Sequence, residues 1–182
     1  MTTTVIDEIF AVFREFGSLS YGEDVSQMAH ILQCAHLART DGASDALVAA
    51  ALLHDIGQFL DDAGNAAEKR GIDARHEVTG AAYLAPYFPK AVTEAVRLHV
   101  EAKRYLCAAE PGYLQSLSYA SALSLRLQGG PHDAQGMADF LALPGAEDAI
   151  RLRRYDDLGK RPDWDVPGLE SYRPLLQSLL RA

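Results

Sequence analysis

Apolar residues at helical spacing run along almost the whole chain, and no stretch replaces that spacing with strict alternation. Val5, Ile6, Ile9, Phe10, Val12, Phe13 and Phe16 fall on one helical face, and Gly17 ends the run. A loop over Ser18 to Asp24 is expected to lead into a helix from about Ser26 to Arg39, with Ser26 as N-cap and a break at Asp41-Gly42. Ser44 caps a third helix that buries Leu47, Val48, Ala51, Leu52 and Leu53 and is closed by Gly57. The polar stretch from Asp61 to Gly71 reads as a surface loop or short helix. Helices are expected over about Ala74 to Leu84 and Lys90 to Ala102, with Pro86 and Pro89 between them. Another follows Pro111 and stops at Gln128-Gly129-Gly130-Pro131. Short helices near Asp133 to Leu141 and Ala146 to Asp157, a loop from Gly159 to Gly168, and a last helix from Leu169 complete the pattern. With no repeat and no linker, the sequence predicts one all-α domain over residues 1–182, a helical bundle wrapped round one site.

A length of 182 residues, 48% of them hydrophobic, is enough for a full core. The formal net charge of -8 speaks against a nucleic-acid partner, which calls for a basic face. No apolar run has the length of a membrane span, and the first residues lack a basic start and apolar stretch. Cys34 and Cys107 have neither disulfide-framework nor zinc-ribbon spacing, and read as small buried hydrophobes in a reducing compartment. The expected location is therefore cytoplasmic.

His54-Asp55, in Ala-Leu-Leu-His-Asp-Ile-Gly, stands at the end of an apolar helix. A carboxylate beside Leu52 and Leu53 needs a partner to offset burial. It could cap the helix end or pair with an Arg, but a metal is the simplest partner, because a carboxylate can bridge two cations. His30, His76, His99 and Asp156 supply further candidate ligands and outline a dinuclear site. Imidazole with carboxylate suits iron, manganese or zinc better than calcium or magnesium. Lys103, four residues after His99, shares its helical face. Next to metal cations it would need an anion between; on spacing alone a solvated surface Lys is the stronger reading. His36 reads as structural and His132 as a surface residue.

The order His30, His54-Asp55, Asp156 resembles the HD-domain superfamily, most of whose members are metal-dependent phosphohydrolases. His76 and His99 resemble the additions of its dinuclear branches. Ser26 to Ala35, His99 to Leu106, Leu127 to Pro131 and Arg153 to Lys160 narrow the resemblance to the HD-domain mixed-valent diiron oxygenases. It covers about residues 5–176 and is nearest to the branch that converts 2-amino-1-hydroxyethylphosphonate to glycine; myo-inositol oxygenase is a more distant relative.

The resemblance implies the following roles. Asp55 bridges two irons, an Fe(II)/Fe(III) pair. His30, His54 and Asp156 complete one iron, and His76 and His99 the other. Lys103 holds a substrate oxygen, Arg153 and Ser121 contact the phosphonate, Glu23 recognises the substrate amine, and Tyr21 covers the site. The implied reaction uses dioxygen to cleave the C–P bond of an organophosphonate, giving phosphate and glycine or an N-methylated glycine, with no organic cofactor. The sequence departs from the pattern in two places. Gln58 stands where the phosphonate enzyme carries His, and Tyr21 lies one residue closer to Glu23. The competing reading of the same ligands is a phosphohydrolase acting on a nucleotide or phosphate ester. A non-catalytic sensor is a third reading, but it would have no need of six filled ligand positions.

Overall fold

The computed structural model describes residues 4–20, 23–60 and 71–181. Helices follow one another, and among the described residues there is no strand. The first helix, α1 (Val5–Phe16), opens on a capping box in which Thr4 and Asp7 each satisfy the other's backbone N–H. Ser26 and Ser44 cap α2 (Gln27–Thr40) and α3 (Asp45–Leu53) by accepting from the N–H three residues on. The chain continues through α4 (Ile56–Leu60), α5 (His76–Leu84), α6 (Lys90–Ala109), α7 (Tyr113–Ser116), α8 (Tyr119–Leu127), α9 (Ala134–Leu141) and α10 (Ala146–Leu158). A 3-10 turn (Leu169–Tyr172) runs into α11 (Arg173–Leu179).

The buried centre is α3. Every residue from Leu47 to Leu53 is at most 2% exposed. Ala49, Ala50 and Ala51 let α2 and α6 come close on either side. The face of α1, with Phe10 and Phe13, joins this core together with Tyr172 and Leu176 from the C-terminal segment. Phe13 meets Phe59 of α4 edge-on, with ring centroids 5.6 Å apart. A smaller cluster of Leu98, Ala102, Phe140, Ala146 and Ala149 ties α6 to α9 and α10. Thus α6 has a core on both sides and becomes the rigid spine of the site. No helix among the described residues is long and apolar enough to cross a membrane.

The structure corrects four expected boundaries. Gly57 does not close α3; that helix stops at Leu53, and Gly57 lies inside α4. A Cβ at position 57 would sit 2.0 Å from the His76 carbonyl oxygen, so this Gly permits the contact between α4 and α5. The expected Lys90 to Ala102 helix extends to Ala109, because its buried face continues through Lys103 and Leu106. The helix after Pro111 is two helices, parted at Leu117-Ser118, where Ser118 accepts from Ser121 N–H and starts α8 afresh. The last helix begins one turn late, since Leu169–Tyr172 winds as 3-10 before Pro174. Residues 61–70, most of the expected polar loop, lie outside the described residues.

Candidate metal centre

The six expected ligands come from five separate places in the chain. His30 projects from α2, His54 and Asp55 from the junction of α3 and α4, His76 from the first turn of α5, His99 from α6 and Asp156 from α10. The Asp55 carboxylate stands in the middle. Its Oδ2 lies 3.7 Å from His30 Nε2 and 3.6 Å from His54 Nε2, while its Oδ1 lies 3.4 Å from His76 Nε2. His76 and His99 meet Nε2 to Nε2 at 3.1 Å, and Asp156 Oδ1 lies 3.3 Å from His30 Nε2. One oxygen of Asp55 therefore serves each group of imidazoles. Neither alternative reading of Asp55 describes it, since its carboxylate faces imidazoles and Arg153 turns to Asp156 instead.

Three of these rings are aimed by backbone carbonyls. Nδ1 lies 2.8 Å from the Gly159 oxygen in His30, 2.9 Å from Ala51 in His54 and 2.7 Å from Val96 in His99. A carbonyl only accepts, so each Nδ1 carries the proton and each Nε2 presents a lone pair to the centre. His54 Nε2 is fully buried with no hydrogen-bond partner among the described residues. An orphaned ring nitrogen beside a shared carboxylate, in a set of nitrogen and oxygen donors, is what a bound metal would satisfy.

Charge follows geometry. Burial lowers the His54 pKa, and burial with His76 and His54 nearby pushes His99 down to about 3, so both rings are neutral. Burial works against ionisation of Asp55, but His54, His76 and His30 outweigh it and the carboxyl stays well below its usual range. Burial likewise opposes Asp156, and Arg153 with the His30 hydrogen bond holds it well below normal. In His30, burial is outweighed by Cys34 and Asp156, which raise the pKa, so a proton and a metal compete for that Nε2.

Cys34 also approaches this group, with its sulfur 3.7 Å from His30 Nδ1. It lies behind the ring, donates to the Tyr155 carbonyl at 3.4 Å, and abuts Gly159, where a Cβ would sit 2.5 Å from Sγ. It supports the His30 ring and, as expected from the sequence, is a small buried residue.

Beside the ligands opens a cavity of about 90 Å³. Asp55, His76 and His99 floor it, and Lys103, Arg153 and Lys160 bring three cations to its wall. Lys103 is only 3% exposed and donates to Ser124 at 2.8 Å; the solvated alternative does not describe it. Burial and the neighbouring Arg153 push its pKa down to about 7. Arg153, also 3% exposed, donates to Asp156 at 2.7 Å, to Ser121 at 3.3 Å and to Tyr113 at 3.1 Å, and pairs with Asp157. Glu23 Oε1 accepts from Ser118 at 2.7 Å and from Lys160 at 2.8 Å. Gln58, on α4, lines the same cavity. Tyr21 lies outside the described residues.

Sequence reasoning missed Lys160, Gln27, Ser124 and Gln128, all of which line the cavity. Spacing held a signal for some of them: Lys160 is four residues after Asp156, Gln27 three before His30, and Ser124 three after Ser121. His36 packs edge-on to Trp164, away from the site. His132 departs from the expected surface role: its side chain is 9% exposed, lies 2.9 Å from Glu101 and stacks on Phe140.

An HD-domain profile matches residues 27–129. The chain is 40% identical over 177 residues to the [1-hydroxy-2-(trimethylamino)ethyl]phosphonate dioxygenase (glycine-betaine-forming) of Leisingera caerulea, covering 97% of this chain and 90% of that protein. It is 43% identical over 176 residues to the hydroxymethylphosphonate dioxygenase of Gimesia maris, covering 96% and 88%. The chain belongs to the HD-domain family and, within it, to the diiron phosphonate oxygenases. It is a metal-binding dioxygenase.

Proposed function

We propose that this enzyme holds two irons and uses dioxygen to cleave the C–P bond of a small 1-hydroxyphosphonate of the 1-hydroxy-2-aminoethyl type. The products are phosphate and the corresponding carboxylate, glycine or an N-methylated glycine. One observation carries the reading: a central carboxylate with three imidazoles and three buried or half-buried basic side chains share one small cavity. Dianion and dimetal site attract each other, and Lys and Arg add point-charge and planar pairing for phosphonate oxygens.

His30, His54 and Asp156 would hold one iron, His76 and His99 the other, and Asp55 both. Iron held there supplies the redox chemistry with dioxygen. The rest falls to the chain's own groups. Lys103 and Arg153 neutralise the phosphonate and turn the C1 hydrogen towards the centre, an advantage of orientation. Ser121, already bonded to Arg153 and Lys160, offers a further polar contact at the anion end. Asp156 and Asp157 fix the guanidinium beforehand, so little ordering is left for the moment of binding. One hydroxyphosphonate and one dioxygen balance one carboxylic acid and one phosphate. The substrate therefore supplies all four electrons, and the reaction calls for no organic cofactor.

The test is anaerobic iron loading, followed by phosphate release from 2-amino-1-hydroxyethylphosphonate and from hydroxymethylphosphonate with and without dioxygen. Oxygen-dependent phosphate with an equimolar carboxylate is expected. Oxygen-independent hydrolysis of a generic phosphate ester, with no release from either phosphonate, would overturn the proposal.

A further inference from the structure

The charged groups on the cavity wall have partners within the protein. Lys103 has Ser124, Arg153 has Asp156, Asp157 and Ser121, and Glu23 is neutralised by Lys160. Among the neutral groups Gln27 and Gln128 are exceptions, and Gln27 is the more buried of the two. It is 5% exposed, it lines the cavity, and its Oε1 has no hydrogen-bond partner among the described residues. Its position is not loose: it is the first residue of α2, its backbone N–H is bound to the Leu19 carbonyl at 2.7 Å, and His30 follows one turn later. Gln33, two turns along the same helix, shows how the fold treats a structural glutamine. Its Nε2 donates to the Arg161 carbonyl at 2.8 Å and its Oε1 accepts from Arg161 N–H at 2.9 Å. Leaving a buried acceptor unmade costs stability, so such a group points to a missing donor. Across the cavity wall, the buried Oε1 of Gln128 is likewise unpartnered.

A phosphonate cannot be that donor, because an ionised phosphonate only accepts. Nor do the cavity's own basic groups reach the Gln27 oxygen: Lys103 donates to Ser124, Arg153 to Asp156 and Ser121, and Lys160 to Glu23. We propose that Gln27 is a specificity-determining residue whose Oε1 accepts a hydrogen bond from an N–H of the substrate's ammonium group, with the Glu23–Lys160 pair left intact. A quaternary ammonium has no hydrogen to give, and Gln27 selects against it. The resemblance assigns the amine to Glu23 alone; here the charge of Glu23 is already matched, so the discriminating contact moves to the neutral acceptor. The proposal rests on the phosphonate reading above and names the substrate group that the site reads.

The experiment compares iron-loaded wild type, Gln27→Met and Gln27→Glu. It measures KM and kcat for phosphate release from 2-amino-1-hydroxyethylphosphonate, its trimethylammonium analogue and hydroxymethylphosphonate, and anaerobic binding of each by calorimetry. In wild type the primary amine is preferred over the trimethylammonium analogue. Gln27→Met should raise KM and Kd for the primary amine about tenfold, the scale of a hydrogen bond to a charged group. It should affect hydroxymethylphosphonate, which has no amine, far less, so that the preference between the two substrates shifts about tenfold. Gln27→Glu keeps the acceptor and should retain the amine. Gln27→Met should melt no lower than wild type, since an unpaired polar atom is removed; a structural glutamine would show the opposite. Equal loss for both substrates, no change for either, or wild-type preference for the trimethylammonium analogue would overturn the proposal. Phosphate released from none of the three substrates by wild type would instead overturn the phosphonate reading.

Discussion

The two walls of the cavity are built on different principles. The metal wall is set by the backbone: three imidazoles are aimed by carbonyl oxygens three residues before them or at the end of α10, and Asp55 is fixed at a helix junction. The anion wall is set by side chains holding one another: Arg153 on Asp156, Asp157 and Ser121, Lys160 on Glu23, and Lys103 on Ser124. The first wall stays in place through helix packing. The second is a network whose members depend on each other. The difference teaches where variation is cheap: substrate preference can change by exchanging one partner of the network while the ligands stay where the helices put them.

The largest effect should come from Asp55→Ala. It removes the group that faces both sets of imidazoles, so both metals and all turnover should be lost, as read by elemental analysis of the purified protein. A stoichiometric metal retained in that variant would break the two-wall division at its centre. Lys103→Met should leave metal content intact and lower kcat by about 10² to 10³, the scale for one electrostatic donor in a dry site. Unchanged turnover would remove Lys103 from the chemistry.

The same variant has a stability signature. The folded Lys103 loses its proton near pH 7, while the unfolded chain keeps it to the ordinary lysine value of about 10.4. Between those limits the unfolded state binds more protons, so stability rises with pH. Denaturant unfolding of metal-free wild type from pH 7 to 10 should show that rise, and Lys103→Met should lack its share.

Gln58→His should tighten phosphonate binding a few-fold, through a ring that can carry charge at the cavity wall. Identical affinity would place that side chain away from the anion. The smallest effect is expected from Cys34→Ala, which loses a weak thiol hydrogen bond and some packing, about 1 kcal/mol, and keeps both metals. Loss of one metal would make Cys34 a ligand and redraw the metal wall.

How much of this was legible follows the same division. His54-Asp55 announced itself because an ionisable pair at the end of Ala-Leu-Leu has few other uses, and Ser26 and Ser44 marked their helix starts by cap chemistry alone. Gly57 was read as a terminator; it is required instead by the close approach of His76, a neighbour 19 residues away that no local rule contains. Lys160 sat inside a recognised segment and still went unassigned, because its partners Glu23 and Ser118 are 137 and 42 residues distant. Spacing could place Gln27 on the His30 face but not show that its amide lacks a partner among the described residues, since that is a property of its surroundings.

The sequence by itself determined the helical class, the acidic charge and which side chains could serve as ligands, because periodicity, capping and side-chain chemistry are local. Only the tertiary structure decided that Asp55 divides its two oxygens between imidazole groups, that Lys103 is buried, and that Glu23 is neutralised while the Gln27 amide oxygen has no partner among the described residues. Those are matters of which groups meet and which are denied water, and helix packing across the whole chain settles them.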